Sequence, residues 1–180
     1  ESAVTALENG KWESVKPENP CLASAHYTLI ARPADAQEAA ADMARSYAAT
    51  PTLLGAHLEG EARDLATEHA ARARSAAPGV LISGGETTVT VDDASSPGGH
   101  GGRNCEYLLA LAIALDGAPG IHALACDTDG IDGTEDAAGA FISPDTLARA
   151  RKIGLDAAAM LNAHDSYTFF DRLGDLVITG

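Results

Sequence analysis

The 180-residue sequence predicts an α/β fold: a mostly parallel sheet with helices on both faces, in three layers. Three observations predict it. Short apolar runs alternate along the chain with longer stretches of helical periodicity, the order that builds a parallel sheet through right-handed crossovers. Runs such as Val80-Leu81-Ile82 are continuously apolar, as in strands covered on both faces. Aromatics make up only 4% against 46% hydrophobic residues, so the core is built from Ala, Leu, Val and Ile.

Each element follows from local chemistry. Residues 1–24 are interrupted by Gly10, Pro17 and Pro20 and read as a linker or the remnant of a preceding domain; residues 25–180 read as the α/β domain. Tyr27 to Ala31 is a short run of β-formers and predicts a buried strand. Pro33 opens an Ala-rich helix over 34–48, since proline is preorganised for the first helical position. Thr52 to Ala56 predicts a strand, and 59–76 a helix with Leu65, Ala66, Ala70 and Ala73 on one face. After Pro78-Gly79, strand 80–82 is followed by Gly84-Gly85 and a second, alternating strand over 87–91. Residues 106–115 form a helix apolar on all sides, hence buried. Strands follow at 121–126, 140–142 and 176–179, with helices at 145–152, 155–162 and 166–173. Ser143 is placed to cap the first of these helices, and Asp165 the last. Two long loops remain, 92–102 and 127–139, and loops of that length in a compact domain carry function or disorder.

The formal net charge of -14 argues against nucleic acid or an anionic membrane as a partner. An anionic substrate would need local cations, helix N-termini or a metal ion to overcome that field. Cys21, Cys105 and Cys126 have neither CxxC nor CxH spacing, which argues against a disulfide framework or a zinc site and points to reduced thiols in the cytoplasm. The longest apolar run, 107–115, falls well short of the roughly 20 residues that span a bilayer.

Three strings carry chemistry. Ser83-Gly84-Gly85-Glu86-Thr87 follows a buried strand, where α/β sheets bind ligands, and Glu86 can accept a substrate hydroxyl or meet a metal ion. Gly98-Gly99-His100-Gly101-Gly102-Arg103-Asn104 leads into a helix, whose free N–H groups and dipole favour an anion beside a planar guanidinium. It matches neither GxGxxG nor the Walker pattern. The third, residues 127–136, sets five carboxylates within ten residues: Asp127, Asp129, Asp132, Glu135 and Asp136. Oxygen-only donors suit Mg²⁺ or Ca²⁺, though Ile131 breaks the EF-hand pattern. His57, His69 and His164 show no mutual spacing that marks a site.

Read together, SGGETTVTV (83–91), GGRNCEYLLALA (101–112), DTDGIDGTEDAAGA (127–140) and the segment 165–180 resemble the MOFRL region of class II glycerate 2-kinases, over about residues 80–180. Some members of that family carry the label hydroxypyruvate reductase. Cys105 stands where the family usually has Gln, and Thr168 where it often has Gly. The resemblance implies a longer protein, with a Rossmann-like N-terminal domain that supplies a phosphate-site lysine, and hence a fragment that is inactive alone. It implies transfer of the ATP γ-phosphate to the 2-hydroxyl of D-glycerate, with Mg²⁺. On that basis Arg103, Asp127 and Asp129 are the expected catalytic residues, and Asp127, Asp129 and Asp132 the expected metal ligands. Glu86, Thr87, Gly101, Gly102 and Asn104 are the expected substrate or phosphate contacts. The alternatives are a hydroxypyruvate reductase, for which no dinucleotide fingerprint is present, and a non-enzymatic domain whose acidic loop binds Ca²⁺.

Overall fold

A computed structural model describes residues 2–11, 16, 18–26, 28–91 and 99–179. The chain divides into two compact units, 1–32 and 33–180. In the first, helix α1 (Ala3–Glu8) is capped by the Ser2 side chain, which accepts from Thr5 N, and a 3-10 helix spans Pro20–Leu22. The strand expected at 27–31 is not formed: Tyr27 lies outside the described residues, and 28–32 have no regular structure. Leu29 and Ile30 are exposed. A run of β-formers becomes a strand only when a neighbour takes up its backbone hydrogen bonds.

The second unit begins with α2 (Pro33–Ser46), whose Gln37 and Ala41 are buried. Strand β1 (Pro51–Glu61), helix α3 (Ala62–Ser75) and strand β2 (Val80–Thr88) form a parallel β-α-β unit, with Pro51 paired to Val80 and Glu61 to Thr88. β2 runs without interruption through Gly84-Gly85, where the sequence predicts two strands. The reason is steric. The β1 register is irregular between Leu53 and Leu58, and Gly85 adopts φ 146° against that bulge. A Cβ on Gly85 would lie 2.0 Å from Leu58 O, so the glycine serves close backbone approach rather than a turn.

Helix α4 (Arg103–Leu115) leads to β3 (Ala123–Cys126) and β4 (Gly139–Ile142). Helices α5 (Thr146–Lys152), α6 (Ala157–Asn162) and α7 (Ser166–Leu173) precede β5 (Leu176–Val177). The second sheet has the order β3-β4-β5 and is antiparallel throughout. The α/β class holds. Parallel pairing is found in β1–β2 and is replaced by antiparallel pairing in β3–β5. Between β3 and β4 the chain forms no crossover helix, so it can return only in the opposite direction.

The core gathers on α4. Leu108, Leu109, Leu111 and Leu115 pack with Ala66 and Ala70 of α3, Ile142 of β4, Leu147 of α5, and Phe169 and Phe170 of α7. Each such side chain contributes about 1.5–3 kcal/mol on burial. The two phenylalanine rings meet edge to face at 5.2 Å. His69 Nδ1 meets Tyr107 OH at 2.8 Å between α3 and α4. Burial there lowers the His69 pKa and pushes Tyr107 up to about 12. The cap expected from Ser143 is reversed: Ser143 N donates to the buried Thr146 hydroxyl, and Ser143 Oγ donates to Asp145.

Candidate active site

The end of β2, the segment after β3 and the start of α4 line a cavity of about 530 Å³. Thr87, Gly101, Gly102, Arg103, Asp127 and Asp129 line it, so the three predicted strings do converge. The guanidinium of Arg103 bridges two of them. Its Nη1 donates to Glu86 Oε1 and its Nη2 to Asp127 Oδ2, both at 2.6 Å. The Asp127 bond and, less so, Glu86 raise the Arg103 pKa. Glu86 is exposed and Asp127 largely buried, so Asp127 is the fixed anchor and Glu86 the exchangeable one.

Asp132 does something the sequence did not predict. It is 1% exposed. Its Oδ1 accepts from Asn104 N at 3.0 Å and Asn104 Nδ2 at 3.1 Å, and its Oδ2 accepts from Cys105 N at 2.9 Å. It is therefore the N-terminal cap of α4, delivered from a distant loop because Gly102 at the cap position has no side chain. Both oxygens accept hydrogen bonds, so Asp132 has a structural role at the start of α4. Asn104 likewise faces Asp132. A Cβ on Gly102 would lie 2.3 Å from the Asp132 carboxylate carbon, which explains glycine there. The same carboxylate, after burial, raises the Cys105 thiol pKa, overriding the helix terminus that would otherwise lower it.

The glycine-rich segment is seated, not loose; Gly98 lies outside the described residues. His100 N donates to Asp165 Oδ1 at 3.1 Å, and Tyr167 N donates to His100 O at 2.8 Å. Asp165 thus holds this segment and the Thr168 hydroxyl instead of capping backbone N–H groups of α7. Added Cβ atoms would meet Ala163 O at Gly99 and Ser166 Oγ at Gly101, at 2.1 and 2.4 Å. Among the described residues, the N–H groups of Gly101, Gly102 and Arg103 have no hydrogen-bond partner. They present the donor set expected at a helix N-terminus that receives an anion.

Three further residues of the site were not identified from the sequence. Glu106 and His164 line the cavity. Arg63 donates through Nε and Nη2 to Glu106 Oε1, and His164 Nδ1 lies 3.0 Å from the same oxygen. The available signal was Glu106 itself, an acidic residue in a helix otherwise apolar from Tyr107 to Leu115.

Among the described residues, no group of three or more His, Cys, Asp or Glu side chains is arranged to hold a metal ion. Mg²⁺, however, is commonly held by one or two carboxylates together with waters and substrate phosphates. Asp127 and Asp129 on one cavity wall fit that mode, not a closed protein cage. Asp129 also accepts from Ile131 N at 2.9 Å, an Asx turn that orients its carboxylate. Among the described residues no helix is long and apolar enough to cross a membrane.

The chain is 53% identical over 165 residues to an Agrobacterium vitis protein named "Putative hydroxypyruvate reductase", covering 87% of this chain and 42% of that one. It is 35% identical to the glycerate 2-kinase of Pyrococcus horikoshii, covering 93% of this chain and 38% of that protein. The chain thus spans well under half the length of these relatives. The crystal structure of a glycerate kinase from Thermotoga maritima superposes with a TM-score of 0.80 at 30% identity, over 99% of this chain and 46% of that one. The MOFRL family model matches residues 79–180, the stretch that contains β2, α4 and every cavity-lining residue named above. The chain belongs to the MOFRL family.

Proposed function

We propose that this chain forms the C-terminal part of a glycerate 2-kinase, which transfers the γ-phosphoryl group of ATP to the 2-hydroxyl of D-glycerate. The observation that carries the reading is Arg103, held by Asp127 beside N–H groups at the start of α4 that have no partner among the described residues. Phosphoryl transfer demands positioning and charge neutralisation more than covalent chemistry. Arg103 meets the first demand with a planar donor fork suited to phosphate or carboxylate. An arriving anion displaces the exposed Glu86, while Asp127 keeps the guanidinium aimed.

The second demand exceeds what these residues supply. The site holds two guanidiniums, Arg63 and Arg103, against five carboxylates, Glu86, Glu106, Asp127, Asp129 and the capping Asp132. A triphosphate is stable there only with cations from elsewhere. When bound, Mg²⁺ at Asp127 and Asp129 supplies part of that charge. A preceding Rossmann-like domain supplies the rest, which makes the domain a partner of this one in the longer cytoplasmic protein. Glu86 and Thr87 then orient substrate at the rim, while Asn104 supports it indirectly through Asp132.

The test is a coupled assay on the full-length protein. ADP release dependent on D-glycerate supports the kinase; NADH oxidation with hydroxypyruvate and no ADP release would replace it with the reductase that the Agrobacterium name suggests. Calorimetric Ca²⁺ binding without any nucleotide effect would favour the binding-domain alternative.

A further inference from the structure

Beside Arg103 the cavity has a second polar group whose chemistry the foregoing reading does not use. Glu106, in the first turn of α4, is 2% exposed. A buried carboxylate requires countercharge and donors. Arg63 of α3 supplies both, with Nε 2.7 Å from Oε1. His164, in the turn from α6 to α7, adds a third donor from a different part of the chain. Its backbone adopts φ 53°, a left-handed conformation uncommon outside glycine and strained enough to persist only where the surroundings impose it. Here the impositions are the His164 N to Leu161 O bond at 3.0 Å and the imidazole bond to Glu106.

Donor counting assigns the tautomer. Arg63 Nη2 carries two hydrogens. One is directed at Glu106 Oε1 and the other at Leu161 O, 2.6 Å away. Nη2 also lies 3.1 Å from His164 Nδ1, but the 3.0 Å contact of Nδ1 with a carboxylate oxygen needs a hydrogen between the two atoms. Nδ1 therefore carries the ring proton and donates it to Glu106, and Nε2 keeps its lone pair. Among the described residues Nε2 has no hydrogen-bond partner. Asp127 and Asp129 each bind a protein donor through one oxygen, Arg103 Nη2 and Ile131 N, and in the kinase reading the remaining oxygens serve Mg²⁺.

We propose that His164, oriented by Glu106, is the proton acceptor for the substrate hydroxyl. The step rests on the kinase reading. The hydroxyl oxygen forms its bond to Pγ. The bond from Pγ to the β–γ bridging oxygen breaks, and its electron pair leaves with ADP. The hydroxyl proton passes to Nε2, and Glu106 stabilises the imidazolium through Nδ1–H, the division of labour that a carboxylate–imidazole pair performs in other enzymes. The charged groups around the ring are Arg63 and Glu106 in contact, with Arg103, Asp127 and Asp129 along the same cavity.

The deciding experiment uses the full-length protein with D-glycerate and Mg-ATP. Asn tolerates the left-handed backbone but cannot take up a proton, so His164→Asn isolates the chemistry from the fold. We expect kcat to fall about 10²- to 10⁴-fold, with KM nearly unchanged and the acid limb of the kcat pH profile lost. Nitrogen-15 NMR of the wild-type imidazole, which needs no turnover, should report Nδ1–H and an unprotonated Nε2. Wild-type kcat and pH profile in the variant, or a proton on Nε2 in the neutral ring, would overturn the assignment of His164 while leaving the kinase intact. A wild-type protein that releases no ADP would remove the kinase reading, and this step with it.

Discussion

Two arginine–carboxylate groupings in the second unit share their chemistry and differ in their surroundings. Arg149 of α5 donates through Nη1 and Nη2 to Asp175, which is 3% exposed, and also reaches Leu173 O and the Thr146 hydroxyl. Arg103 also meets two acceptors, but one of them, Glu86, is exposed and exchangeable. The Arg149 grouping includes one exposed partner as well, Asp145 before α5, but its partners all lie in or beside α5 and at the end of α7, and none lines the cavity. The Arg103 grouping opens on the cavity. A guanidinium whose partners all lie away from a cavity holds a fold together; one with a replaceable partner at a cavity can receive a ligand.

Mutations should separate the two. Arg149→Ala leaves the Asp175 carboxylate buried without its partner, which costs about 3–5 kcal/mol. At this chain length that lowers the melting temperature by about 6–20 °C in calorimetry, while KM for D-glycerate stays near wild type in whatever folded protein of the full-length enzyme remains. Arg103→Ala should do the reverse. Its kcat/KM in the full-length enzyme falls about 10²- to 10³-fold, the range seen when a preorganised charge-stabilising donor is removed. Its melting temperature falls less than that of Arg149→Ala, because Glu86 is exposed and Asp127 is less deeply buried than Asp175. Wild-type kinetics in Arg103→Ala would erase the distinction drawn between the two arginines.

Asp132 stands between these extremes, a structural carboxylate built into the site. Asp132→Ala uncaps α4 and leaves buried N–H groups unsatisfied, at about 1–3 kcal/mol. A second reading of the same variant is chemical. In the wild type, burial and Asp132 together hold the Cys105 thiol protonated at neutral pH, because a raised pKa leaves less thiolate below it. Cys105 should therefore resist iodoacetamide at pH 7.5 in the wild type and react measurably faster in Asp132→Ala, as followed by mass spectrometry. Equal rates would show that the cap does not shield it. Glu86→Gln gives the smallest effect. It alters stability by less than about 0.5 kcal/mol, as expected of an exposed pair, and changes KM only modestly.

Much of the fold was legible because it is encoded locally. The apolar helix of α4, the Pro33 start of α2, the Ala66 and Ala70 face of α3 and the bounds of α7 follow from periodicity and breakers that act over one or two turns. The failures have one cause. The 28–32 segment has β-forming side chains and no strand partner, and Gly84-Gly85 looks like a break but is a strand interior matched to a bulge on β1. In both, pairing with another segment decides the outcome, and pairing is invisible in a local window.

The site divides the same way. The strings at 83–87, 101–104 and 127–132 determined which residues would lie at strand ends and at a helix start, since glycine, guanidinium and carboxylate chemistry belongs to the residues themselves. Only the tertiary structure could decide that Arg63 and His164 share one oxygen of Glu106, or that Asp132 caps a helix. A side chain's chemical capacity is covalent and local. Its actual partner is whichever donor or acceptor the packed core brings within about 3 Å, and burial then makes that choice costly to reverse.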